Sequence, residues 1–208
     1  MSILSINQMA VYAYARQMAA DIESLETLSV VHVGQVEAVV SAMLREMGVL
    51  DRCNDWPLAA SLHDCGKRAL PLELLRKPGK LTREERGLVQ THTIRGYEQL
   101  KAWAALDEVG REFYETAAVV ALTHHENWDG SGYPHGFSGQ SIPLIGRLVH
   151  VADVLSALAS PRVYHLAMPP DDAMGMLLSE SFAGYFDPDL LPVVIRVLPE
   201  LKSGGVFQ

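Results

Sequence analysis

The sequence predicts an all-α fold, a multi-helix bundle, and three observations carry that prediction. Apolar residues recur at spacings of three and four along most of the 208 residues. Helix start and stop signals flank those stretches. No run alternates with period two for long enough to make a convincing strand, and no internal repeat is present.

The elements follow in order. The first part of the chain, residues 1–23, reads as an N-terminal helical segment. Val33, Val36, Val40, Met43, Leu44 and Met47 then trace one helical face, with His32 at its start and Gly48 placed to end it. The stretch "AASLHDCGKRALP", residues 59–71, ends an apolar helix on His63 and Asp64, followed by Gly66 and Lys67. Thr82 with Glu85 forms a capping box, and the helix it opens runs through Leu88, Val89 and His92 to Leu100. Phe113, Ala117, Val120, Ala121 and His124 mark the next apolar stripe, which stops where glycines begin. Pro143 restarts the chain in a helix through Val149, Ala152, Asp153 and Leu158, ended by Pro161. Two short helices, near 172–182 and 188–198, complete the chain.

Composition narrows the function classes. About half of the residues are apolar, enough to bury a full core. The formal charge is −8, from 17 basic against 25 acidic residues, and the basic ones are scattered. That argues against duplex nucleic acid or an anionic membrane surface as partner. An anionic substrate would need something other than net charge to attract it, such as a bound cation. Two cysteines, Cys53 and Cys65, make no disulfide framework and point to a reducing compartment. The N-terminus has no basic region before its mildly apolar start, and no apolar run approaches the length of a membrane span. A soluble, cytoplasmic protein is expected.

The informative residues are polar ones inside apolar stretches. His32, His63, Asp64, His92, His124, His125 and Asp153 lie on or at the ends of apolar helices. An unpartnered imidazole or carboxylate there costs on the order of 1 to 3 kcal/mol. One such residue is usually a satisfied core group; this many, on separate helices, are better explained by a shared charge that they coordinate. Consecutive helical residues point about 100° apart, so His63 and Asp64 act together only with something between them, as a metal ion would be. His150 reads as core packing and His135 as an exposed loop residue. Glu126 could orient a ligand imidazole or simply be solvated.

Taken with their spacing, these motifs resemble a known family. His32, then His63-Asp64, then Asp153 are similar to the HD superfamily of metal-dependent phosphohydrolases. "HDCGK", "KPGKLTREE", the following His92, "HHENWDGSGYPHGFSGQSIP", "RLVHVADVLSAL" and "SPRVYH" resemble its HD-GYP branch, bacterial phosphodiesterases of cyclic di-GMP. The likeness runs from about residue 24 to "GYFDPDLLP", so the chain divides into the segment 1–23 and an HD-GYP phosphohydrolase domain, 24–208.

The resemblance implies an HD-domain-like helical bundle with a glycine-rich GYP loop. It assigns His32, His63, Asp64, His92, His124, His125 and Asp153 as metal ligands, with Asp64 the bridge and the two adjacent histidines reaching different ions. Nitrogen and oxygen donors without thiolate suit iron, manganese or nickel. Two divalent ions per chain can activate a water and bind phosphate oxygens. Asp64 and Lys67 are the catalytic candidates, Lys67 also contacting the phosphate, and Arg162 would grip a second phosphate or a guanine. Gly132, Tyr133 and Pro134 form the loop signature, where Tyr133 can stack on a base and the loop can dock GGDEF-type diguanylate cyclases. A dimer is compatible with the sequence.

Departures from the family pattern add expectations. Ser156 stands where the family usually has a second acidic residue, and His165 where many relatives place Arg or Lys, so one phosphate contact is weakened or made pH-dependent. No receiver, PAS or other sensory segment fits before residue 24; if the chain is complete, it is expected to be unregulated, to respond through its short N-terminal helix, or to depend on a partner. Trinuclear members carry a glutamate one turn before the first histidine, where this chain has Leu28; Glu26 points elsewhere on a regular helix. A dinuclear centre that releases linear pGpG and only slowly GMP is therefore expected. The alternatives are an HD-type phosphohydrolase of another cyclic dinucleotide or nucleotide, and a non-catalytic HD-GYP adaptor.

Overall fold

A computed structural model of the chain describes residues 6–25, 31–160, 167–179 and 183–207. Among them the fold is all-helical, with no strand. The helices are α1 (Ile6–Glu23), α2 (His32–Glu46), α3 (Trp56–Ala60), α4 (Leu72–Leu75), α5 (Arg83–Gln90), α6 (His92–Leu106), α7 (Arg111–Thr123), α8 (Leu144–Ala159), α9 (Pro170–Leu177) and α10 (Leu191–Ser203). No helix of the described residues is long and apolar enough to cross a membrane.

Local chemistry sets several boundaries where the sequence places them. Gly48, at φ 70°, follows α2; its N–H reaches the Arg45 carbonyl and that of Val49 reaches Leu44, the paired bonds of a Schellman end. Thr82 Oγ1 accepts from the Glu85 N–H at 3.2 Å while the Glu85 carboxylate takes the Thr82 N–H at 2.8 Å, the capping box that starts α5. α8 begins after Pro143 and ends at Ala159.

Other boundaries differ. The helix expected from Thr82 to Leu100 breaks at Thr91, because side chains compete for its carbonyls: Thr91 Oγ1 donates to Leu88, His92 Nδ1 to Val89 and Thr93 Oγ1 to Gln90. The apolar helix before His63 stops at Ala60 and tightens into a turn of i to i−3 bonds that runs into a 3₁₀ helix, Cys65–Ala69. The helix expected near 172–182 is α9, which ends at Leu177; residues 180–182 lie outside those described. That expected near 188–198 starts later, at Leu191, and runs through Pro199, whose lost hydrogen bond falls on the carbonyl of the exposed Ile195.

The core has two apolar clusters. Val36, Val40, Leu44, Leu148, Leu155, Leu177 and Val194 join α2 to α8, α9 and α10. Ala15, Met18, Leu62, Leu100, Phe113 and Ala117 join α1 to α6, α7 and the turn after α3. Each fully buried leucine contributes about 1.5 to 3 kcal/mol. Helix α2 packs on α8, α7 on α6, and α3 contacts both α2 and α7. The polar residues singled out in the sequence come from these helices.

Candidate metal centre

Each polar side chain enters the centre from the end of an element or from a helix flank. His32 and His92 are the first residues of α2 and α6, His124 is the residue that closes α7, and Asp153 projects from α8. His63 and Asp64 occupy the turn ahead of the 3₁₀ helix. Gly66 allows that turn to lie against α6: a Cβ there would sit 1.9 Å from the His92 carbonyl oxygen.

The donors form two groups. Asp64, His92, His124 and His125 each offer an atom within 4.8 Å of the others, and so do His32, His63 and Asp153. Asp64 lies between the groups: one carboxylate oxygen is 3.3 Å from His63 Nε2, the other 3.2 Å from His92 Nε2 and 3.7 Å from His124 Nε2. Asp153 Oδ1 is 3.1 Å from His32 Nε2 and 3.9 Å from His63 Nε2. His124 and His125 fall in the same group, with ring centroids 4.0 Å apart, rather than reaching into separate ones.

The hydrogen bonds around the rings fix which nitrogen faces inward. Nδ1 of His63 donates to the Ala60 carbonyl at 2.9 Å and that of His92 to Val89 at 2.8 Å. His124 Nδ1 is shared between the Val120 and Ala121 carbonyls at 3.1 Å. A carbonyl only accepts, so each Nδ1 carries a hydrogen and Nε2 is the nitrogen left to face a cation, which at His63 would displace a proton. His92 and His124 face each other Nε2 to Nε2 at 3.4 Å. His32 Nε2, His63 Nε2 and Asp64 Oδ1 are buried without a directed hydrogen bond. Unsatisfied inward-facing nitrogen and oxygen donors, with no thiolate among them, fit divalent cations.

Charge is distributed unevenly across the centre. Burial opposes a charged His63, but the adjacent Asp64 carboxylate and then Asp153 raise its pKa to about 9. Burial likewise opposes ionisation of Asp64, yet the ammonium of Lys67, 2.6 Å away, and His63 hold its carboxyl well below the usual range. Asp153 is depressed against burial by the neighbouring His32 and His63. Burial lowers His124 to about 4 and keeps His125 well below the ordinary imidazole value, which leaves both as neutral donors.

The glycine-rich loop is built onto this centre. Gly132 passes so close to the end of α7 that a Cβ would lie 2.2 Å from the Asn127 nitrogen. Tyr133 N–H donates to the His125 carbonyl at 3.1 Å, and its ring stacks on the His125 ring; the Tyr133-Pro134 peptide is cis. Glu126 is buried and turns away from the imidazoles: its carboxylate accepts the N–H of His135 at 2.8 Å and of Phe137 at 3.1 Å. Neither expected role for Glu126 describes this, since its work is to anchor the loop. His135 is exposed. His150 is buried against Phe186 and also donates to the His124 carbonyl at 2.9 Å.

A cavity of about 220 Å³ opens over the centre, with Asp64, Lys67, His125 and Asp153 on its floor and Val154 and Leu158 on its wall. Arg162 and His165, and Glu26 and Leu28 on the approach to His32, lie outside the described residues. The pattern of polar residues in apolar stripes did not single out Gln35, although it is buried on α2 and bonded to Ser156 and Ser160. A glutamine one turn past His32 on the inward face is the signal it leaves.

Comparison with known proteins agrees with this geometry. Residues 1–190 match the HD domain family. The chain is 41% identical over 146 residues to the cyclic di-GMP phosphodiesterase response regulator RpfG of Xanthomonas campestris pv. campestris, covering 70% of this chain and 37% of that protein. It is 36% identical over 138 residues to 3'3'-cGAMP-specific phosphodiesterase 2 of Vibrio cholerae, covering 66% of this chain and 25% of that protein. The chain thus spans well under half of either relative. Among solved structures, Bd1817, an HDG"Y"P protein from Bdellovibrio bacteriovorus, superposes with a TM-score of 0.65 at 19% identity, over 92% of this chain and 62% of that one.

Proposed function

We propose that this chain, which belongs to the HD domain family, sits in its HD-GYP branch and is a metal-dependent phosphodiesterase that opens cyclic di-GMP to linear pGpG. The observation that carries the reading is Asp64, one oxygen beside each donor group, on the floor of a cavity shared with Lys67. In this reading His92, His124 and His125 would hold one divalent ion and His32, His63 and Asp153 the other, with Asp64 available to both. Iron or manganese is the expected metal, two ions per chain. Bound divalent cations would supply Lewis-acid charge and an acidified water, the chemistry an in-line phosphodiester displacement needs.

The chain's own residues do the rest. Lys67 offers its ammonium to a phosphate oxygen at the edge of the cavity, and its present partner, Asp64, keeps it there at 2.6 Å. Tyr133, flanked by Gly132 and Pro134, offers its ring for stacking and the loop backbone for contact with a guanine. Arg162 is assigned to a second phosphate or base from the sequence motif. The helical segment 1–23 is taken as an addition to the catalytic domain 24–208, and the packing of Ala15 and Met18 against the turn after α3 supports a supporting role for it. The same reading places the protein in the cytoplasm and makes the loop the docking face for GGDEF-type cyclases.

A second reading rests on the relatives, one of which is named for 3'3'-cGAMP. One assay separates the substrates. The protein loaded with Mn²⁺ or Fe²⁺ is given cyclic di-GMP or 3'3'-cGAMP, with a chelator control, and the products are resolved by ion-exchange chromatography. Chelator-sensitive release of pGpG, with cyclic di-GMP turned over faster, is the expected result. Faster turnover of 3'3'-cGAMP would move the assignment to that nucleotide, and no turnover of either would leave the adaptor reading.

A further inference from the structure

Unlike His63, His92 and His124, whose Nδ1 atoms meet main-chain carbonyls, His32 has its Nδ1 on a side chain. Its Nδ1 lies 2.8 Å from Ser156 Oγ, so what that hydroxyl does with its single hydrogen decides which nitrogen of His32 faces Asp153. Ser156 Oγ also lies 2.6 Å from Gln35 Oε1, and Ser160 Oγ lies 2.6 Å from the same oxygen. The other end of the Gln35 amide, Nε2, is 3.0 Å from the Val206 carbonyl. All three side chains are buried, so water does not complete this network from outside.

The hydrogens can be assigned by elimination. The Val206 carbonyl only accepts, so the NH₂ of Gln35 must face it and the amide oxygen must face the serines. That oxygen only accepts as well, so Ser156 and Ser160 both donate to it. The other acceptor near Ser156, the His32 carbonyl at 3.4 Å, has no hydrogen to return. Ser156 therefore has lone pairs alone to offer His32, and Nδ1 must carry a hydrogen. The Nε2 lone pair is left pointing at Asp153, 3.1 Å away, where it finds no directed hydrogen bond.

The geometry points to Gln35, Ser156 and Ser160 as positioning residues that lock His32 in its ligating tautomer through a relay anchored on the Val206 carbonyl. This deepens the metal-centre reading and rests on it. At Ser156 the chain uses a neutral hydroxyl whose orientation is set by an amide on α2. The relay also ties the turn after α10 to the group formed by His32, His63 and Asp153, while His92 and His124 in the other group take their tautomers from helix carbonyls and are independent of it.

The test uses Ser156→Ala, Gln35→Met and the hydroxyl-retaining Ser156→Thr. Binding of Zn²⁺ is measured by competition with a chromophoric chelator, and the Nδ1–H of His32 in the Zn²⁺-loaded protein is followed by NMR, assigned with His32→Gln. The relay predicts that Ser156→Ala and Gln35→Met weaken one of the two ions by about 10- to 100-fold and leave the other unchanged. The Nδ1–H signal should broaden or vanish in Ser156→Ala, and Ser156→Thr should restore both readouts. Unchanged affinity and an unchanged Nδ1–H signal in a folded Ser156→Ala protein would overturn the relay while the metal centre stands. Failure of the unsubstituted protein to bind Zn²⁺ would overturn both.

Discussion

The ring of Tyr133 lies stacked on the imidazole of His125, with centroids 4.7 Å apart and planes inclined by 28°. The signature tyrosine of the loop is thus in contact with a metal-ligand candidate that itself lines the cavity. His125 keeps its place without it, because its backbone leaves α7 directly and its carbonyl is bonded to the loop N–H. Tyr133→Ala should therefore raise KM by about 5- to 100-fold, the worth of one base stack, with metal content kept. Tyr133→Phe should stay close to the unsubstituted protein. Metal content and turnover falling together in Tyr133→Ala would show that the ring is part of the centre's scaffold.

Glu126 supports the same loop from beneath. Its replacement by alanine leaves the His135 and Phe137 N–H groups without their acceptor, a loss of about 1 to 3 kcal/mol. Thermal unfolding of Glu126→Ala should shift down accordingly, and residues 130–138 should become the first site of limited proteolysis. Unfolding and cleavage patterns like those of the parent protein would contradict the anchoring role.

Two glycine substitutions make a paired test of the packing between the 3₁₀ helix and α6. A Cβ at Gly66 meets the His92 carbonyl oxygen at 1.9 Å and the Gly96 nitrogen at 2.5 Å, so Gly66→Ala must push His63 and Asp64 away from His92. Loss of bound metal together with lower stability is expected. Gly34, on an exposed face of α2, has nothing within 4 Å of a built Cβ. Gly34→Ala should stabilise by about 0.5 to 1 kcal/mol. Equal melting temperatures for the two variants would remove the close-approach argument.

How far the sequence discloses this arrangement depends on the physical origin of each feature. His63, His92, His124 and Asp153 are legible because each interrupts an apolar stripe, and Gly48 and the Thr82–Glu85 box are legible because end signals are local. The break at Thr91 is not, since it comes from hydroxyl and imidazole donors taking carbonyls that periodicity assigns to the helix. The direction of the Glu126 carboxylate depends on the loop folding back over nine residues. The Gln35 relay joins groups 121 and 171 positions apart and has no local signature. Arg162, assigned from its motif, lies outside the described residues and keeps only its sequence argument.

Stability of the chelator-treated protein should peak near neutral pH, for reasons that differ on the two sides. His63 has a folded pKa of about 9, raised from 6.5, so its stabilisation is full below 6.5 and is lost as pH rises through about 9. His124, lowered to about 4, and His125 and His150, lowered by burial, refuse a proton that the unfolded chain takes up. Their effect is a loss of stability as pH falls below 6.5. The depressed Asp64 and Asp153 stabilise above the ordinary carboxylate value of 3.8 and lose that only as pH falls through their lower folded values. Urea unfolding across this range should show the acid-side decline beginning in the histidine range; a decline confined to the carboxylate range would contradict the neutral buried imidazoles.

The central claim is that Asp64 joins two metal groups into one catalytic centre, and elemental analysis paired with turnover of cyclic di-GMP in Asp64→Ala tests it most directly. The unsubstituted protein should hold two divalent ions per chain and accumulate pGpG, with slow conversion to GMP. Asp64→Ala should stay helical by circular dichroism, lose at least one ion, and lose activity by about three orders of magnitude or more, the scale of removing an electrostatic catalytic group. Near-normal turnover by a folded Asp64→Ala protein, or three tightly held ions in the unsubstituted chain, would contradict the account.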